Sequence, residues 1–333
     1  MEMEEEEEEK VIDDLNLILT KEIVGVGYEN YYIGKKKGIS TKFMVKEYNS
    51  DVINSKLNTF INEEIFIVKD LNHPNILKFI ELKNVMGNIY IVTDYYNGGN
   101  LMKALKIYKK MNNKIFSEEI VQYIMRQIIE GMKYLHNKKI IHRDIKLQNI
   151  MINYEEEDDR INNNIMKGRI KIIGFALARY LQKGELNNAF VGTPIYMDPC
   201  LLNSSKEKEY WYNEKIDIWS LGAIFYELLT GKPLFKAKNR EDLEEKSFKG
   251  DYFVPITLSK ETVSFLNCML QYDPTKRLSI DKLYNHKFLR KNINEFHKID
   301  LSELNNIKII DNSKILINSK DNELISAYFG TNE

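Results

Sequence analysis

The chain has 333 residues, of which 43% are hydrophobic and 29% charged, with 48 Lys+Arg against 49 Asp+Glu and a net charge of −1. That length suits one large bilobed domain or two ordinary ones, and the even charge balance argues against a nucleic-acid binder. Two cysteines, Cys200 and Cys268, exclude a disulfide framework and a four-cysteine zinc site and suit a reducing, cytoplasmic setting; no apolar run of about 18 residues offers a membrane span.

In chain order, the acidic run Glu4 to Glu9 repels itself, and residues 1–16 are expected to form a solvated, disordered tail. Strand-like segments follow from about Leu17 to Tyr96, among them Phe43-Met44-Val45-Lys46 and Ile89-Tyr90-Ile91-Val92. One helix interrupts them from about Thr59 to Leu71, where Phe60, Ile61, Glu64, Ile65 and Val68 recur at helical spacing. Past Gly98-Gly99 the pattern turns helical. Ser117 followed by Glu118 and Glu119 reads as an N-cap with acids in the first turn, and Ile120, Ile124, Ile128, Met132 and Leu135 form the stripe behind it. The Glu-, Asp- and Asn-rich stretch between Met151 and Lys171 is expected as an exposed loop. A second apolar helix from about Asp217 to Leu229 stops at Gly231 and Pro233, and the pattern weakens beyond about Leu289. The expectation is an α+β chain: a small strand-rich lobe over 17–96, a helical lobe over 97–290, an extension over 291–333, and a ligand cleft between the lobes.

The segment richest in chemistry is His142-Arg143-Asp144-Ile145-Lys146-Leu147-Gln148-Asn149. An Asp ahead of an Asn with a Lys between suits phosphoryl transfer. Asp144 can orient a hydroxyl and accept its proton, Lys146 can meet the γ-phosphate, and Asn149 can hold a metal ion. Each residue alone would be bland; the whole octapeptide behind a helix is not.

On these residues the chain resembles a eukaryotic protein kinase over about 17–290. The resemblance implies a bilobed fold, ATP and Mg²⁺ as cofactors, and a protein substrate. It places Lys46 as the phosphate-binding lysine, Glu64 as its helix-borne partner carboxylate, Gly25 and Gly27 in the phosphate loop, Thr93 at the gatekeeper position, and Asp94 and Tyr95 in the adenine-binding hinge. Gly192-Thr193-Pro194-Ile195-Tyr196-Met197 is similar to the substrate-binding segment of Ser/Thr kinases, a class to which Lys146 also points. Asp217 falls where an Asp anchors the catalytic-loop backbone, and Arg277 at the late structural arginine. Asn97-Gly98-Gly99-Asn100-Leu101, the insertion after Asn149, and Ala178-Arg179-Tyr180-Leu181-Gln182 resemble the autophagy-initiating ULK branch.

Four departures bear on activity. Gly174, in Ile173-Gly174-Phe175-Ala176, stands where the family has its metal-binding Asp, which removes a carboxylate from the most charged point of the site. Asp198-Pro199-Cys200 lacks the carboxylate that pairs with Arg277 in the family pattern, with Asp198 a possible substitute. Asn30 takes the third glycine position of the phosphate loop, beside a carboxylate, Glu29. Leu177 to Gly192 holds no Ser or Thr to phosphorylate, which leaves Glu185 as a candidate fixed acid. Two readings remain open: a Ser/Thr kinase of impaired catalysis with weakened or dispensable Mg²⁺, and a pseudokinase that acts as a scaffold. Gly192-Thr193-Pro194 disfavours a small-molecule kinase.

Overall fold

The computed structural model describes residues 10–13, 16–26, 29–50, 55–181, 191–202, 212–250, 252–295 and 308–310. Gly27 and Glu185 lie outside the described residues. In chain order come β1 (Lys10–Ile12), β2 (Leu17–Val26), β3 (Glu29–Lys36), β4 (Lys42–Tyr48), α1 (Ser55–Val68), β5 (Phe79–Val85) and β6 (Asn88–Asp94). Next are α2 (Leu101–Asn112), α3 (Glu118–Asn137), β7 (Ile140–Ile141), β8 (Ile150–Asn153), α4 (Glu157–Ile161), β9 (Arg169–Ile172) and β10 (Arg179–Tyr180). The rest are α5 (Pro199–Leu202), α6 (Lys215–Thr230), α7 (Arg240–Lys249), β11 (Phe253–Pro255), α8 (Lys260–Met269), α9 (Ile280–Tyr284), α10 (Lys287–Arg290) and β12 (Lys308–Ile310). No helix among the described residues is long and apolar enough to cross a membrane. The chain forms two compact units: Met1–Ala104 with Glu130–His142 and Leu147–Tyr180, and Leu105–Ile129 with Arg143–Lys146 and Leu181–Glu333.

The first unit is built on an antiparallel sheet of order β1-β2-β3-β4-β6-β5. Strand alternation sorts β4 onto two faces. Val45 joins Ile12, Leu17, Leu19, Tyr90 and Val92 in one apolar cluster, while Tyr48 joins Ile61 of α1 and Ile91 in another. Burying each such aliphatic side chain is worth about 1.5–3 kcal/mol. Lys10–Ile12 form β1, although they fall in the segment expected as a tail; Lys10 pairs with Glu47 at 2.7 Å. α1 begins at Ser55 and ends at Val68, offset from the span that the apolar spacing predicts.

The acidic stretch after Asn149 departs from the expected loop. It contains β8, α4 and β9, with Tyr154 and Ile165 buried and Asn163 Nδ2 donating to the Ala104 carbonyl at 3.2 Å. Its acids stay outside. Glu157 pairs with Arg160 and Glu155 with Arg169, the latter at 3.4 Å.

The second unit is helical. α6 is mostly apolar and buried from Ile216 to Leu229, Asp217 and Glu227 included, and it ends on Gly231 at φ 66°, a left-handed cap. Phe225, Phe265 and Phe288 pack ring against ring at 4.9–5.2 Å between centroids. Ser259 caps α8 and Asn239 caps α7, each by accepting a backbone N–H. Beyond the predicted domain end, β12 pairs in parallel with β11.

Candidate phosphoryl-transfer site

Lys46 sits mid-strand on β4, and alternation turns it onto the α1 face of the sheet. There its Nζ donates to both oxygens of Glu64, at 3.1 and 2.9 Å. α1 presents Glu64 because its apolar stripe packs on the sheet and because Arg179 of β10 pairs with the neighbouring Glu63 and stacks over Phe60 at 4.9 Å. A second carboxylate arrives from β3. Glu29 Oε1 lies 2.8 Å from Lys46 Nζ. Register explains the meeting: Tyr31 pairs with Lys46 and Glu29 with Tyr48, so all four share one face. Tyr48 hydroxyl lies 2.9 Å from Glu29 Oε1 and 2.8 Å from Glu64 Oε2 and donates its proton to one at a time.

These neighbours set the charges. Burial would discharge Lys46, but Glu64 and the other anionic partners outweigh it and hold its pKa well above the ordinary value. Burial would likewise raise the Glu29 carboxyl; the Lys46 ammonium and the hydroxyls of Tyr31 and Tyr48 hold it below the usual range. Tyr48 itself is pushed up, first by burial and then by Glu64.

Thr93 and Asp94 end β6, an inner strand of the same sheet, and Tyr95 follows it. Thr93 is buried and pairs with Met44 and Phe79. Asp94 N–H donates to the Lys78 carbonyl at 3.1 Å, and Tyr95 lies partly buried with the Lys42 ammonium 6.0 Å from its ring centre. Gly25 lies near the end of β2.

Asn149 ends a 3₁₀ turn, Leu147–Asn149, and its carbonyl accepts the Ile173 N–H at 2.9 Å. That bond brings Gly174 beside the Asn149 side chain. Gly174 holds φ +83°, and a Cβ built on it would lie 2.6–2.8 Å from the Asn149 amide atoms. Only glycine lets the amide rest there. Phe175 is fully buried against the His142 ring, 5.0 Å between centroids, and His142 Nε2 lies 2.9 Å from the Ile173 carbonyl. The donor set therefore offers one neutral amide and no carboxylate at 174. Mg²⁺ usually takes one or two carboxylates beside phosphate oxygens, so these two positions do not make its usual site.

In the second unit, Asp144, Lys146 and Thr193 form a closed triad. Thr193 Oγ1 donates to Asp144 Oδ1 at 2.7 Å, Lys146 Nζ donates to Thr193 Oγ1 at 2.9 Å, and Lys146 lies 2.9 Å from Asp144 Oδ2. Asp144 thus already holds an aliphatic hydroxyl, the kind of group an acceptor Ser or Thr presents. The neighbouring backbone is strained: Arg143 adopts φ 66°, and its N–H donates to Asp217 Oδ1 at 2.9 Å. Gly192, at φ +119°, leaves room for the Arg143 carbonyl, which a Cβ would approach to 2.7 Å. Arg143 Nη1 also donates to the Tyr212 hydroxyl at 2.9 Å.

Arg277 is not orphaned. Asp198 pairs with it, and both side chains are 0% exposed. Arg277 further donates to the carbonyls of Gln271, Lys215 and Tyr272, while Asp198 accepts the Cys200 N–H at 2.7 Å. The shift of the acid to the front of Asp198-Pro199-Cys200 still reaches the arginine. Tyr196 donates to Glu227 Oε2 at 2.6 Å, and burial pushes the Glu227 carboxyl up to about 7.

The structure thus joins Lys46 to Glu64 and Asn149 to Gly174 in the first unit, and Asp144 to Lys146 in the second. Sequence reasoning placed Glu29 near the phosphates but missed that it binds Lys46, with Tyr31 and Tyr48 as escorts. The signal was present in the alternation of β3 and β4.

Several known proteins resemble the chain. It is 32% identical over 248 residues to Serine/threonine-protein kinase atg1 of Dictyostelium discoideum, covering 74% of this chain and 34% of that protein. Serine/threonine-protein kinase ULK1 of Homo sapiens is 35% identical over 239 residues, 71% of this chain and 21% of its own length. Serine/threonine-protein kinase polo of Drosophila melanogaster is 35% identical over 270 residues, 81% and 41%. The chain therefore spans between a fifth and two fifths of the curated relatives it matches. Since the protein kinase domain profile matches residues 20–289 as well, this chain belongs to the protein kinase family, with Ser/Thr kinases of the ULK and Atg1 type among its relatives.

Proposed function

We propose that the chain binds ATP and transfers its γ-phosphate to Ser or Thr of a protein substrate, slowly, in the cytoplasm. The observation that carries this reading is the Asp144–Lys146–Thr193 triad, in which each polar atom is within 2.9 Å of its partner. Asp144 holds the acceptor hydroxyl and takes its proton, a role worth about 10²–10⁴ in rate. Lys146 steadies that carboxylate and can turn to a phosphate oxygen. Lys46, oriented by Glu64, reads the nucleotide phosphates. The Ser/Thr kinases among the chain's relatives supply the class of acceptor.

Slowness follows from position 174. Without a carboxylate there, Mg²⁺ dependence is weak, and turnover falls well below the ~1–100 s⁻¹ usual for kinases. Full-length chain, labelled ATP and a Ser/Thr peptide, assayed with and without Mg²⁺, test the reading. Slow transfer that disappears in Asp144→Ala supports it; transfer at an ordinary rate removes the impairment. The second reading, a scaffold without turnover, is favoured by Gly174 and by Glu29 seated on Lys46. It requires that no transfer be detectable and that a protein partner bind Asp144→Ala and the unaltered chain alike.

A further inference from the structure

An ammonium has three N–H donors. Lys46 Nζ donates to both oxygens of Glu64, at 3.1 and 2.9 Å, and forms an ion pair with Glu29 Oε1 at 2.8 Å. Two tyrosine rings finish the enclosure, with the Lys46 Nζ 4.7 Å from the Tyr48 ring centre and 5.9 Å from that of Tyr31. Two carboxylates around one ammonium leave the enclosure with a net negative charge. With Glu29 Oε1 at 2.8 Å, a polyphosphate would meet a like charge at the contact it needs.

We propose that Glu29 is a built-in lock on Lys46: its carboxylate holds the place of a nucleotide phosphate, and a nucleoside triphosphate binds only by displacing it. Glu64 and Glu29 differ in how readily they can leave. Glu64 is anchored on α1 and its side chain is 8% exposed. Glu29 is the first residue of β3, and its side chain is 22% exposed. A change of rotamer at Glu29 frees one N–H of Lys46 while the Glu64 pair stays intact. The tyrosines hold the locked state: Tyr31 hydroxyl donates to Glu29 Oε2 at 2.5 Å and Tyr48 hydroxyl lies 2.9 Å from Oε1, so both carboxylate oxygens are satisfied. The lock replaces one anion with another, so it involves no covalent change. It rests on the reading of Lys46 as the phosphate-binding lysine, and it assigns Glu29 the regulation of that site.

The test is titration of the full chain and of Glu29→Gln with ATP and, separately, with inorganic tripolyphosphate. Glu29→Gln keeps the side-chain volume and removes the charge. Both anions are expected to bind it about tenfold more tightly than the unaltered chain, and Lys46→Ala added to Glu29→Gln should erase the gain. Tyr31→Phe, which leaves every charge in place but loosens the lock, should give a smaller gain in the same direction, and it serves if Glu29→Gln proves unstable. Equal or weaker binding of both anions to Glu29→Gln overturns the lock, as does a gain that survives Lys46→Ala. Tighter tripolyphosphate with no ATP binding in any variant keeps the lock and instead removes the ATP reading of the function.

Discussion

The two units treat their charged machinery differently. In the second, Asp144, Lys146 and Thr193 lie in mutual hydrogen-bond contact, and even the displaced acid of Asp198-Pro199-Cys200 recovers its buried arginine. In the first, Lys46 and Glu64 keep their pairing, yet a carboxylate is absent at 174 and an extra one stands at Glu29. The proposed acceptor side keeps the family pattern, and the proposed phosphate side departs from it. Loss of function by general decay would not sort itself this way. On the proposed function, the contrast places the departures at the nucleotide and its metal rather than at the acceptor hydroxyl.

Four variants probe that contrast, in order of decreasing effect. Asp144→Ala removes the proposed proton acceptor and should cut peptide phosphorylation about 10³-fold, measured with labelled ATP. Asp198→Ala leaves Arg277 charged and buried at 0% exposure; the expected loss is on the order of 3–5 kcal/mol, read from the urea midpoint at an unchanged slope. Little change there would mean that the carbonyls of Gln271, Lys215 and Tyr272 suffice for the arginine.

The third acts on the proposed phosphate side. Gly174→Asp with Ala176→Gly should raise transfer about a hundredfold in Mg²⁺. It must also displace the Asn149 amide and hold a side chain at φ +83°, so some stability is lost. A rate that stays flat in a folded variant would show that position 174 was not limiting.

The fourth is Glu227→Gln, read by pH. Burial lifts the Glu227 carboxyl from 4.5 to about 7 in the fold, so the folded chain holds this proton more tightly than the unfolded one. Its stability should therefore fall as pH rises from about 4.5 through about 7 and then level off. Glutamine can still accept from Tyr196 but does not ionise, so the variant should lack this fall and be more stable at pH 8 by on the order of 2–3 kcal/mol. Parallel pH profiles for the two proteins would contradict that account.

Much of this was legible in the sequence where the chemistry is contiguous or periodic. His142 to Asn149 declares itself as one segment, and α1, α3 and α6 follow from apolar spacing, with Ser117 accepting the Ile120 N–H at 3.4 Å where a cap was expected. What was not legible depends on contacts between separate segments. Glu29 reaches Lys46 through the β3–β4 register, which a one-residue slip would reverse. Asp198 as the partner of Arg277 is suggested only by the family pattern; composition and spacing alone give no hint of a pair so far apart in the chain. The stretch after Asn149 looked like a loop because its acids dominate, whereas isolated residues such as Tyr154 and Ile165 provide its buried anchors. The left-handed Gly174 against the Asn149 amide is likewise a matter of backbone conformation, which the residue names only permit.

The most direct test of a rearranged phosphate side is calorimetric titration of the full chain with ATP, once in Mg²⁺ and once in a chelating buffer. The two dissociation constants should lie within about threefold of each other, a difference under ~1 kcal/mol. Tightening by Mg²⁺ of about a hundredfold or more would show that the cation is held as firmly as in a kinase with its carboxylate in place, and would contradict that rearrangement.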